Sequence, residues 1–372
     1  MWLRRLCILL VLATGCAPAG RARPIPPRQP PKVLDASFFE APASDGATPK
    51  MRVHLIDIGQ GAATLIEFSC AAILIDTGGE ENRRFDSTQN LIVYLRAFFE
   101  SRPDLGDTLA LLVLTHPHID HTRAAPVVFG EFNVENLVTD GLVLSSGGKQ
   151  QRMVINAAKA KRIGTQVVTV GSIPAGGLTS AVIDPVACPD GDPDIRVLWG
   201  AVDKSAHDNA NNDSVAVRVS LGKSSILITG DLEDDGIHGM LAKHAGTQAL
   251  DVDLYQVGHH GSYNATTTQL LRALTPRLAL IACGPHDRRS TWTAWAYGHP
   301  RAVTIELLEQ ALARATPRAA VVVPVATGAK KFSGFEITVP IYATAWDSDV
   351  IVTMSADGQL AVRTRQEPSR QP

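Results

Sequence analysis

Apolar positions along this chain fall into two patterns. Short, nearly unbroken runs such as Leu109 to Leu114 and Ile73 to Ile75 have the length and bounds of strands buried on both faces. Between them lie stretches with a helical period: from Asn90 to Phe99, residues Leu91, Tyr94, Leu95, Phe98 and Phe99 share one face. The pattern predicts strands at 51–57, 63–68, 71–76, 109–115, 134–139, 166–170, 213–220, 224–230, 252–257 and 277–283. It predicts helices at 88–101, 150–163, 233–244, 266–274 and 301–314. Further strands at 334–341, 348–354 and 358–363 are expected to complete or extend the second of two sheet-like halves. No internal repeat is visible, and the fold class is α/β (α+β).

Both ends of the chain leave this pattern. Met1-Trp2-Leu3-Arg4-Arg5, an apolar run from Leu6 to Ala13 and Thr14-Gly15-Cys16 have the layout of a secretory signal over 1–16. The run is too short to span a bilayer as a mature helix. Leu12-Ala13-Thr14-Gly15-Cys16 resembles the bacterial lipobox, with Cys16 lipidated and Ala13 where Leu is commoner. An ordinary signal cut near Ala17 or Ala19 is the alternative. Residues 17–50, rich in Pro, Ala and Arg, read as a linker, either a polyproline-like spacer or plain disorder. The folded body is expected over 51–345, with closing strands over 346–363 and a disordered tail over 364–372.

Composition narrows the picture. At 45% hydrophobic residues the body has ample apolar side chains for a core, and the net charge of −2 argues against a broad electrostatic grip on nucleic acid. Of five cysteines, Cys7 and Cys16 lie in the signal. Cys70, Cys188 and Cys283 remain, enough in an exported protein for one disulfide and one free thiol, with the pairing open.

The densest chemistry is Thr115-His116-Pro117-His118-Ile119-Asp120-His121, four metal-ligating side chains within six residues where a buried strand ends. Imidazole with carboxylate suits Zn, Mn or Fe, and a strand edge gives such a site rigidity.

The pattern His-x-His-x-Asp-His resembles the signature of the metallo-β-lactamase superfamily. Val53 to Gly61, Ile73 to Gly79, Asn211-Asn212-Asp213-Ser214-Val215, Thr229-Gly230-Asp231-Leu232-Glu233, Val257 to Ser262 and Tyr297-Gly298-His299-Pro300 follow in order. Together they are similar to the subgroup containing the C-terminal domain of ComEC-type DNA-uptake proteins. The resemblance implies a four-layer αβ/βα sandwich for the 51–345 hydrolase domain, and two divalent cations, zinc first with manganese as the alternative. It assigns His116 and His118 to the first cation, Asp120 and His121 to the second, and Asp231 to the bridge. One of His259 and His260 completes the second cation, with His260 preferred, and the other faces substrate. Asp231 also has the position of a helix N-cap for 233–244.

Two departures stand out. The Asn211-Asn212-Asp213-Ser214 stretch lacks the histidine that many members use as the third ligand of the first cation, leaving an amide or water oxygen, or His207 from upstream. Ala62 stands where relatives carry an Asp that supports the turn. Asp76 is expected to fix the Thr77-Gly78-Gly79 turn and to support a metal-binding histidine. His299 either donates to a phosphate oxygen or protonates a leaving group, the alternative being a helix-start histidine before Pro300. The loop from Pro285 to Tyr297 carries His286, Arg288, Arg289, Trp292 and Trp295, which either grip a phosphate and stack a base or form a lid. His54, His238 and His244 carry no motif.

The resulting expectation is an exported, lipid-anchored metal-dependent hydrolase of a phosphodiester or phosphate ester, acting through a metal-bridging hydroxide, with Asp120 and His299 as catalytic residues. The substrate is a nucleic acid, a nucleotide or a headgroup; no stretch reads as a membrane channel, and no protein partner is inferred. Cleavage of a β-lactam, lactone or thioester is the first alternative, and a non-catalytic surface binding module the second.

Overall fold

The computed structural model describes residues 23–27, 34–40, 48–83, 85–202 and 209–366. The signal, Cys16, much of the linker, His207 and the tail from 367 lie outside the described residues.

Two sheets face one another. The first has eight strands in the order Gly164–Val167, Asn136–Thr139, Leu111–Leu114, Ala72–Ile75, Thr64–Glu67, Lys50–Leu55, Val350–Ser355 and Leu360–Thr364. The second has six: Asp194–Trp199, Ala216–Leu221, Ser224–Ile228, Leu254–Gln256, Leu278–Ile281 and Ile341–Ala343. Strand alternation explains the unbroken apolar runs. Ile73 and Ile75 join Val53, Val113, Val217, Ile226 and Leu280 in the core between the sheets, while Leu74 and Leu112 face the other way. There they pack under Leu91, Tyr94, Leu95 and Phe98 of the helix Ser87–Ser101, the stripe expected from the sequence. A third cluster seats Ile237, Leu270, Ile305 and Leu308 on the outer face of the second sheet. Helices, sheet, sheet and helices make the four layers.

The closing strands correct one expectation. Val350–Ser355 pairs antiparallel with Lys50–Leu55, so it and Leu360–Thr364 extend the first sheet, not the second. The partner of a strand is a long-range property that local periodicity does not carry. The strand expected at 334–341 is divided. Its first part belongs to Lys331–Ile337, which forms a hairpin with Val321–Gly328; Pro340, without an N–H, ends the run before Ile341–Ala343 joins the second sheet. Asp194–Trp199, an edge strand, was not anticipated.

Part of the Pro-rich stretch packs on the body. Asp35 caps the short helix Ala36–Phe39; Phe38 and Phe39 are buried, and Phe39 meets Tyr94 and Phe98 edge to face. Cys70 and Cys188 form the disulfide, and Cys283 is a buried free thiol. His54 is a core histidine between Tyr94 Oη at 2.9 Å and Glu67 Oε2 at 3.1 Å, His244 donates to or accepts at Leu198 and Gly176 backbone atoms, and His238 is exposed. Among the described residues no helix is long and apolar enough to cross a membrane.

Candidate metal centre

The carboxyl ends of the parallel strands in both sheets meet at one edge of the sandwich, where ligand sites of open α/β sheets form. Leu111–Leu114 delivers residues 115–121, Ala72–Ile75 delivers Asp76, and Ser224–Ile228 delivers Asp231. Leu254–Gln256 delivers His259 and His260, and Leu278–Ile281 leads into the loop that ends at His299. The 116–121 loop is pinned through its backbone. Ala62 N donates to Asp120 O at 3.0 Å, and Thr77 N to His121 O at 2.8 Å. Gly61 sits at φ +146°, and a Cβ there would meet Asp120 O at 2.5 Å, so glycine is required where the two turns touch.

Asp120, His121, Asp231 and His260 bring ligand atoms within 4.8 Å of one another, and His116, His118 and Asp231 form a second group on the same measure. Asp231 belongs to both. Its Oδ1 is 3.1 Å from His121 Nε2; its Oδ2 is 3.5 Å from His260 Nε2, 3.7 Å from His259 Nε2 and 3.8 Å from His116 Nε2. Asp231 does not cap the next helix: Asp234–Lys243 starts after Glu233.

Neighbouring hydrogen bonds decide which nitrogen of each ring faces inward. Asp76, itself in the left-handed region at φ 59°, accepts from Thr115 N and Thr115 Oγ1, both at 2.8 Å, and from His121 Nδ1 at 2.7 Å. The Thr115 hydroxyl proton is thereby committed, so at 3.1 Å its oxygen takes the proton of His116 Nδ1. His260 Nδ1 donates to Ala282 O at 2.8 Å. Each ring donates outward through Nδ1 and presents Nε2 to the centre. The Nε2 atoms of His121 and His260 are buried without a hydrogen-bond partner, and His116 Nε2 lies 3.0 Å from His118 Nδ1. Converging Nε2 atoms, with the buried carboxylate of Asp231 and the partly exposed one of Asp120, are a donor set that fits cations.

The charges agree. Burial opposes ionisation of Asp231, yet the imidazoles of His121, His260 and His259 hold its carboxyl well below the usual range. Asp120 is likewise lowered against burial, through His260 and His121. Burial works against charge on His260, but Asp231 and Asp120 outweigh it and raise it to about 9; His121 is raised well above its usual value by Asp231 and Asp76. Burial and the neighbouring His121 instead keep His116 neutral. Protons on His121 and His260 thus occupy the ground a cation would take, and cation binding must displace them.

His259 and His260 are distinguished by their backbones. Both sit at positive φ, 47° and 55°, conformations costing on the order of 1 kcal/mol each. The rings diverge: His260 is buried among the ligands, whereas His259 places Nδ1 3.1 Å from Glu233 Oε1. Glu233, which received no role from the sequence, also accepts from Asn209 Nδ2 and Asn211 Nδ2, both at 2.7 Å, and its carboxyl falls to about 2 against burial, chiefly through His259 and Asn211. A carboxylate can only accept, so the Asn211 amide is oriented with Oδ1, buried and unpartnered, away from Glu233. An acid two residues after Asp231 was the available signal for Glu233.

A cleft of about 350 Å³ opens beside the centre, lined among others by Gln60, His118, Asp120, Ser146, Asn211, Asp231, Trp292, Tyr297 and His299. His299 is buried, with Gln60 Nε2 3.3 Å from its Nδ1 and its ring stacked on Tyr297. Burial and the neighbouring His260 push it well below its usual value, so it is neutral, with Nε2–H as its donor. Arg288 is spent on Glu80 at 2.8 Å and on the Phe85 ring. Arg289 is exposed and Trp295 packs against Lys330.

Residues 56–286 match the family described as the metallo-beta-lactamase superfamily. The chain is 26% identical over 272 residues to ComE operon protein 3 of Bacillus subtilis (strain 168), covering 69% of this chain and 30% of that protein. It is 26% identical over 251 residues to Recombination protein 2 of Haemophilus influenzae, covering 68% of this chain and 26% of that protein. The chain thus spans less than a third of the length of these relatives. Among solved structures, the metallo-beta-lactamase fold protein YhfI from Bacillus subtilis aligns with 63% of this chain and 85% of its own, at 13% identity and TM-score 0.35.

Proposed function

Since the chain belongs to the metallo-beta-lactamase superfamily, we propose that it is a metal-dependent hydrolase of phosphodiesters or phosphate esters, holding two divalent cations, zinc first and manganese as the alternative. The observation that carries this reading is the convergence of unpartnered, buried imidazole nitrogens of His121 and His260 on Asp231, which also faces His116. His116, His118 and Asp231 would hold one cation; Asp120, His121, Asp231 and His260 would hold the other. Bound there, the pair supplies Lewis acidity and an acidified water.

The chain's own residues do the rest. Asp76 and Ala282 O fix the orientations of His121 and His260, so both rings turn Nε2 to the centre without reorientation and need only lose the Nε2 proton. His299, neutral and oriented by Gln60, donates a hydrogen bond through Nε2 to a phosphoryl oxygen as charge builds there. Its low proton affinity favours that role over protonating a leaving group. Turnover of bis(p-nitrophenyl) phosphate by metal-loaded protein, abolished in Asp120→Ala, is the expected result. Turnover of nitrocefin alone would assign the site to another bond class, and full cation occupancy with no turnover of any ester would assign it to binding.

We also propose export, with lipid attachment at Cys16. The Cys70–Cys188 disulfide supports an oxidising compartment. Cys16→Ser should release the protein from the membrane fraction; a parent protein that already fractionates as soluble would argue for an ordinary cleaved signal.

A further inference from the structure

The rim of the cleft holds aromatic side chains that core packing does not explain. Trp292 is 72% exposed, Tyr263 63% and Tyr297 37%. Trp292 and Tyr297 line the cleft and are contiguous, and Tyr263 lies beyond them across Arg301. Trp292 meets Tyr297 edge to face at 6.2 Å, and Tyr297 stacks on His299 at 5.7 Å with 18° between planes. Arg301 donates to Tyr297 O at 3.1 Å and lies 5.8 Å from the Tyr263 ring. A ledge of rings therefore runs outward from His299.

The ledge is held in place. Thr293 accepts from Ala296 N and donates to Ser290 O, fixing the turn Ala294–Tyr297. Trp292 itself lies at φ 60°, a strained conformation for a large side chain that holds the indole out towards solvent. Pre-set aromatic rings lose little freedom on binding. Meanwhile Arg123, the one arginine among the described residues lining the cleft, is committed to Gly79 O at 2.6 Å and Glu81 at 2.5 Å. Recognition next to the reacting phosphate therefore falls to stacking more than to charge.

We propose that Trp292 and Tyr297 form a specificity-determining ledge that stacks a planar ring, such as a nucleobase, attached to the phosphodiester within one sugar of the reacting phosphate. This inference rests on the phosphoesterase reading and names the neighbour of the scissile group that the site prefers.

Three diesters sharing a p-nitrophenolate leaving group test it: thymidine 5′-(p-nitrophenyl phosphate), methyl p-nitrophenyl phosphate and p-nitrophenyl phosphorylcholine. The full chain should favour the nucleoside ester over the methyl ester by about 10-fold or more in kcat/KM, the size expected of one stacked base. In Trp292→Ala that ratio should fall towards one, and Trp292→Phe should restore most of it. Equal rates on nucleoside and methyl esters, or an unchanged ratio in Trp292→Ala, would overturn the proposal. A preference for the choline ester lost in Trp292→Ala would also overturn it, marking the rings as a cation site. Failure to turn over all three would count against the phosphoesterase reading instead. The ledge would then be judged by thymidine monophosphate binding, expected at least 10-fold weaker in Trp292→Ala and contradicted by equal affinity.

Discussion

Asp76 and Asp140 stand at the ends of Ala72–Ile75 and Asn136–Thr139, the two strands that flank Leu111–Leu114, yet their surroundings differ. Asp76 is surrounded by donors and orders the centre. Asp140 accepts from Gln151 Nε2 at 2.6 Å and Leu142 N at 3.0 Å through Oδ1, while its Oδ2 is buried and unpartnered. Burial, with the Asp213 charge as a smaller contribution, pushes Asp140 up to about 8 from 3.8. A raised folded value means the native state holds a proton that the unfolded chain releases. The stability this confers is complete below about pH 3.8 and is lost as pH rises through about 8. Asp140→Asn, a neutral isostere that keeps the acceptor, should therefore gain melting temperature relative to the parent as pH rises from 5 to 9. Equal shifts across that range in thermal melts would mean that Asp140 is ionised in the fold. At this scale the sequence exposed the ligands, because metal sites use a few residue types at short spacing. It did not expose Glu233 or Gln60, whose parts depend on hydrogen bonds across distant segments. Between His259 and His260 it gave only a preference for His260, since that choice is made by two consecutive left-handed backbones.

Elements with a strong local period were legible. The helix Ser87–Ser101 buries the expected stripe, and the runs around 73 and 111 are strands of the first sheet. What escaped was partnership. Val350–Ser355 crosses back to Lys50–Leu55, almost three hundred residues away, and Asp57 N donates to Asp349 Oδ1 at that junction. Val321–Gly328 was hidden by Pro324, which a two-stranded hairpin tolerates opposite Gly334 and a central strand would not. The disulfide belongs here too: three cysteines were visible, but only the packing of the Cys70 turn against the segment before Asp194–Trp199 selects Cys188 over the buried Cys283.

For the whole molecule, the sandwich brings the carboxyl ends of strands from both sheets to one edge, so that ligands from residues 116 to 260 meet around Asp231. The near-neutral charge of −2 argues against broad long-range attraction of a polyanion. The claim beneath all of this is that two cations share Asp231. Metal stoichiometry measured by mass spectrometry, on protein stripped and then reloaded with zinc or manganese, addresses it most directly. Two equivalents per chain, reduced to one by His260→Ala, is the expected outcome; a parent protein that retains no more than one equivalent would contradict it.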